Sequence, residues 1–167
     1  ILLAQNIRRM RGDNFSEISC LTAIDLNGNV LWQIGEPNPD NALVSNDLPF
    51  QIHDIDGDGR QEVIYCKDFM IRVIDGETGE LKYEAPTPFA PPHKGPKMVE
   101  TQYHRITGDS LYFCDLTAQG VDRDLIIKDR YNNIWAYTWD LRLLWHYQGN
   151  CGHYPMACDI DNDGKDE

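Results

Sequence analysis

No apolar run in this chain comes near the roughly 20 residues that cross a bilayer as a helix, and none has the layout of a secretory signal. Basic residues are scarce. Lys and Arg number 15 against 27 Asp and Glu, a formal net charge of −12. That balance argues against non-specific nucleic-acid binding, which needs a basic footprint. The five cysteines contain no Cys-x-x-Cys pair, so neither a zinc ribbon nor a thioredoxin-type site is supported. There is no acidic block of the disordered kind, aromatics are plentiful, and no segment reads as a convincing helix.

What the chain does have is one acidic motif written twice. Asp54-Ile55-Asp56-Gly57-Asp58-Gly59-Arg60-Gln61-Glu62 returns as Asp159-Ile160-Asp161-Asn162-Asp163-Gly164-Lys165-Asp166-Glu167. Both read D-x-D-x-D-G-x-x-E. Carboxylates at positions 1, 3, 5 and 9, with a backbone carbonyl at position 7 (Arg60, Lys165), can wrap one hard cation, and calcium takes six to eight oxygens in a flexible shell. The Gly at position 6 permits the sharp turn. An EF-hand is excluded, because it needs a bidentate Glu at position 12 and flanking helices. Position 12 is Tyr65, and the flanks, residues 49–53 and 63–66, are β-branched and aromatic. The loop therefore joins two strands. A metal-free acidic turn is the bland alternative, and a second copy of the same grammar argues against it.

A degraded third copy runs from Asp115 to Asp124, with Thr117 and Gln119 at two ligand positions and one residue inserted before the final acid. It should hold calcium weakly or not at all. Between the loops a hairpin unit recurs over residues 22–32, 71–83 and 134–145. Asn27-Gly28 and Asp75-Gly76 are strong turn signals, while the third copy relies on Asp140. The order of loops and hairpins suits a four-stranded unit of about 40–50 residues. In each unit the Asp loop joins the first two strands and the hairpin forms the last two.

Such units form β-propeller blades. The fold class expected is all-β, a fragment of a seven- or eight-bladed propeller built from four-stranded blades. Residues 1–34 would end one blade, 48–84 and 99–147 would be complete blades, and 151–167 would start the next. Residues 35–47 and the Pro-rich 85–98, which hold five of the nine prolines, read as inter-blade loops that cannot join a ladder. The chain opens without Met and stops inside an Asp loop, so it is expected to be a piece of a longer protein. Cys66, Cys114 and Cys158 fall in expected strands as small buried hydrophobes. Cys151 could pair with Cys158 or Cys20 in an oxidising compartment.

On the loops Asp54–Glu62 and Asp159–Glu167, with support from Asp115–Asp124, the chain resembles the FG-GAP (integrin-α-type) repeat propellers over roughly residues 20–167. The resemblance implies calcium in the loops, all on one face of the propeller, and an extracellular or periplasmic setting. The segment from Gly152 to Asp161 is also similar to a pattern in bacterial propellers related to rhamnogalacturonan and ulvan lyases. That implies an acidic polysaccharide as partner and cleavage by β-elimination. Adhesion heads and non-catalytic binding propellers share the loops equally.

Elimination needs a cation or cationic group on the uronate carboxylate, a base for the carbon-bound proton and an acid for the leaving oxygen. The candidates are Tyr103, His104, Arg105, His153 and Tyr154, with His104 and His153 leading. His53 and His146 read as packing residues and His93 as a solvated one. Of Trp32, Trp135, Trp139 and Trp145, most should be core or inter-blade packing, with Trp139 at a turn tip the most exposed.

Overall fold

The computed structural model describes residues 1–8, 16–37, 48–89, 104–129, 132–152 and 154–167. Every regular element among them is a strand. They are β1 Leu2–Arg8, β2 Ser16–Ile24, β3 Val30–Gly35, β4 Phe50–His53, β5 Glu62–Lys67, β6 Met70–Asp75, β7 Leu81–Pro86, β8 Ser110–Cys114, β9 Asp124–Lys128, β10 Asn133–Tyr137 and β11 Leu143–Gln148. They form three antiparallel sheets, β1-β2-β3, β4-β5-β6-β7 and β8-β9-β10-β11. Each strand pairs with its sequence neighbour, the meander of a propeller blade. The chain is a fragment of an all-β propeller, with two four-stranded blades and a three-stranded one.

Period-2 alternation explains how these sheets stack. β5 is buried along almost its whole length and splits its side chains between two cores. Val63 and Tyr65, with Ile74 of β6, pack against Ile18, Leu21 and Trp32 of the first sheet. Ile64 and Cys66, with Ile71 and Val73, face Leu125, Ile127, Trp135 and Tyr137 of the third. A strand sandwiched between two sheets must be apolar on both faces, hence the unbroken run Val63-Ile64-Tyr65-Cys66.

The outer hairpins repeat in detail. Each has a bulge just after its turn, so that Leu31, Lys82 and Leu144 occupy one equivalent, unpaired position. The aromatic residue that follows reaches the turn of the next blade. Trp32 Nε1 donates to the Gly76 carbonyl at 3.0 Å, and the Tyr83 hydroxyl donates to the equivalent Trp139 carbonyl at 2.8 Å. In the third turn Leu141 takes the positive φ (61°) that Gly28 takes in the first, and Thr138 donates to Asp140 at 2.5 Å. The Leu141 side chain is buried in the core, which offsets its backbone strain.

Several expectations change. β7 runs on through Pro86, which pairs with Met70; on an outer edge strand a missing N–H is tolerated. Among the described residues of 151–158 no ladder forms; Cys158 exchanges backbone hydrogen bonds with Glu167 and is exposed. All five cysteines are free thiols, so the suggested Cys151 pairings are not formed. Trp145 is more exposed than Trp139, 43% against 36%, because it lies on β11, every residue of which is exposed.

The repeated inter-blade hydrogen bond gives a direct comparison. Tyr83→Phe should cost about 1 kcal/mol in urea denaturation, whereas Trp145→Phe should change stability by less than about 0.5 kcal/mol. Equal effects would contradict the assignment. Burial pushes the Cys66 and Cys114 thiols up to about 12. At pH 8 a thiol reagent should therefore modify Cys158 in the folded chain and reach Cys66 and Cys114 only after unfolding.

Candidate metal centre

The three Asp loops close with one hydrogen-bond grammar. At position 1, Asp54 Oδ2, Asp115 Oδ2 and Asp159 Oδ2 each accept the N–H of the position-6 glycine, at 3.0, 2.5 and 3.0 Å. Those glycines, Gly59, Gly120 and Gly164, all have positive φ, as do Gly57, Ala118 and Asn162 at position 4. In the first and third loops the last acid bonds back across the turn. Glu62 Oε2 accepts from the Ile55 amide at 3.1 Å and Glu167 Oε2 from the Ile160 amide at 2.9 Å. Ile55 is fully buried and pins the first loop to the core.

This folding turns the acids inward. In the first loop one carboxylate oxygen from each of Asp54, Asp56 and Asp58 lies within 4.8 Å of the others, and in the third the same holds for Asp159, Asp161 and Glu167. Asp54 Oδ1 is buried and has no hydrogen-bond partner among the described residues. An unpaired buried carboxylate oxygen is costly, and an oxygen-only donor set of this kind suits a hard cation. Arg60 directs its guanidinium outward to Asp75 and Glu77, at 3.1 Å each.

The degraded loop is built differently. Thr117 donates to Asp124 at 2.7 Å and Gln119 donates to Thr117 at 2.6 Å. These neutral donors serve Asp124 Oδ2, while Asp124 Oδ1 stays buried without a hydrogen-bond partner among the described residues. Its residues bring no comparable acidic group together among the described ones.

Three features escaped the sequence reading. Lys82, at the bulge of β7, places its ammonium 2.5 Å from Asp56 Oδ2, 3.0 Å from Glu62 Oε1 and 3.7 Å from Asp58 Oδ2. The Asp56 and Glu62 hydrogen bonds hold its pKa above the usual lysine range against an opposing effect of burial. Arg123 crosses from the degraded loop to donate to the Asp56 carbonyl at 2.7 Å. A Cβ on Gly57 would come 2.4 Å from its Nη1, so the crossing itself needs glycine there. Finally, Asp166 and Asp115 tie the third loop to the second, backbone amide to carbonyl and backbone amide to carboxylate, both at 2.8 Å. Contacts this distant in sequence leave no local signature. Lys82 alone had one, as the charged member of the set Leu31, Lys82 and Leu144.

Of the five groups considered for elimination, Tyr103 and His153 lie outside the described residues. His104 is exposed and Tyr154 is 72% exposed. Arg105 is committed to the fold: it donates to the Thr87 carbonyl and its guanidinium lies 3.9 Å over the Phe89 ring. Thr87 in turn donates to the Ile106 carbonyl at 2.7 Å. His104 and Arg105 precede β8, at the rim opposite the Asp loops. His53 stacks on Phe113 at 4.2 Å and His146 on Trp135 at 4.8 Å, the packing roles expected of them. His93 lies outside the described residues.

No protein-family model matches the chain, and no curated protein sequence does. Among solved structures it is similar to BamB from Moraxella catarrhalis, at 16% identity and a TM-score of 0.45. The match covers 82% of this chain, and this chain spans 38% of that one.

Loop closure can be tested without metal. In chelator, Glu62→Met should cost about 2 kcal/mol in urea unfolding, because it strands the buried Ile55 amide and removes an acceptor from Lys82. Glu62→Gln, which keeps one acceptor oxygen, should cost less. A Met variant as stable as the parent would contradict the role.

Proposed function

We propose that the chain belongs to a calcium-stabilised propeller of the FG-GAP repeat type, working outside the cytoplasm as a binding module for carbohydrate or protein. The observation that carries this reading is the convergence of acid oxygens in the first and third loops, together with the unpartnered buried oxygen of Asp54. Asp54, Asp56, Asp58 and Glu62 with the Arg60 carbonyl would hold one calcium ion. Asp159, Asp161, Asp163 and Glu167 with the Lys165 carbonyl would hold a second. Both ions are structural. They offset like charges folded into one turn and stiffen the rim where adjacent blades meet. Loops of this kind fill at the calcium levels found outside cells, which favours an extracellular or periplasmic setting.

Cleavage of an acidic polysaccharide by β-elimination is the second reading. It is favoured by the solvent exposure of His104 and Tyr154, while Arg105 is tied to Thr87 and Phe89. The binding reading asks nothing of these groups and stands first.

Calorimetry with calcium chloride should resolve two sites, and Asp56→Ala combined with Asp58→Ala should leave one. At free calcium about 100 times the dissociation constant, each site should add about 2.7 kcal/mol of stability. Unchanged stoichiometry in the double variant would overturn the first-loop assignment. For the second reading, the intact protein should generate unsaturated-uronate absorbance on ulvan or rhamnogalacturonan and lose it at least tenfold on His104→Ala, by analogy with a lost general acid or base, worth roughly 10²–10⁴. No product from the parent protein would leave the binding reading alone.

A further inference from the structure

The two complete Asp loops have the same ligand grammar but different neighbours. The first has Lys82 inside it. The ammonium touches Asp56, Asp58 and Glu62, which are three of the four acids that would hold a metal there. Its side chain is 27% exposed, so it is partly withdrawn from water. It leaves Asp54 untouched, and Asp54 Oδ1 remains the unpartnered buried oxygen. A single ammonium therefore compensates the loop incompletely.

The position of Lys82 is specified by the fold. The bulge that carries it recurs in all three hairpins, where its equivalents are Leu31 and Leu144. Leu144 belongs to the blade whose loop is degraded and carries Thr117 and Gln119 at two ligand positions. The basic residue thus stands at the bulge of the hairpin beside a fully acidic loop, and an apolar one beside the loop that has its own neutral donors.

We propose that Lys82 is a tethered cation that occupies the first Asp loop and must be displaced before calcium can enter. This rests on the calcium reading above. A divalent ion and the ammonium would compete for this loop, since two cations brought to the same carboxylates repel each other. Calcium entering the first loop breaks the charge-assisted hydrogen bonds of Lys82 and gains the contact with Asp54 that the ammonium cannot make. The exchange weakens calcium binding at this loop and couples it to the β7 edge of the same blade.

The test isolates the first loop by combining Asp161→Asn with Asp163→Asn, then titrates calcium chloride by calorimetry in that background. Lys82→Met and Lys82→Gln should each tighten binding by about tenfold or more, the scale of one charge-assisted hydrogen bond no longer broken. Two variants guard against a misfolded one, and circular dichroism checks both. A lysine with a merely structural role would weaken binding or leave it unchanged when removed, so a gain of less than tenfold in both folded variants overturns the displacement. If no chain binds calcium, with or without Lys82 and with the third loop intact or not, the metal reading itself fails and the displacement with it.

Discussion

Folding like charges into one tight turn is the constraint on which this structure depends. Each complete Asp loop draws its acids inward because the position-1 carboxylate must cap the position-6 amide and the last acid must cap the position-2 amide. Those bonds make the turn, and they also bring the carboxylates together. The resulting repulsion has to be offset nearby. The degraded loop has two fewer acids at the ligand positions and supplies its own hydroxyl and amide donors. The first loop takes in Lys82. In the third, Asp159, Asp161 and Glu167 converge with no ion pair among the described residues.

The same rim holds the blades together. Arg123 crosses to the first loop, Asp166 and Asp115 join the third to the second, and Trp32 and Tyr83 link successive hairpin turns. Neutralising a loop therefore acts on two blades at once. The loop geometry and the packing of the propeller are one problem, which supports the proposal that an ion held there would be structural.

Much of this was legible in the sequence, and for physical reasons. The β-branched and aromatic run of β5, the Asn27-Gly28 and Asp75-Gly76 turns and the twice-written Asp motif are local signals, and local chemistry fixes strands, turns and loop closure. The degraded loop was legible through Thr117 and Gln119. Side chains that reach across the fold were not. Lys82 enters a loop on another strand of its sheet, and Arg123 reaches into a different blade. Tyr103-His104-Arg105 looked like a cluster of chemistry, yet the Arg105 guanidinium serves Thr87 and Phe89, because a planar cation beside a carbonyl and a ring packs well.

The proposed cation sites can be seen directly by anomalous diffraction at long wavelength from crystals grown in chelator and in excess calcium. In chelator the Lys82 ammonium should stay bonded to Asp56 and Glu62. In excess calcium both Asp loops should show a calcium peak, and in the first loop Lys82 should have withdrawn. Crystals with neither loop filled in excess calcium, or with calcium in the first loop and Lys82 still bonded to Asp56 and Glu62, would contradict this.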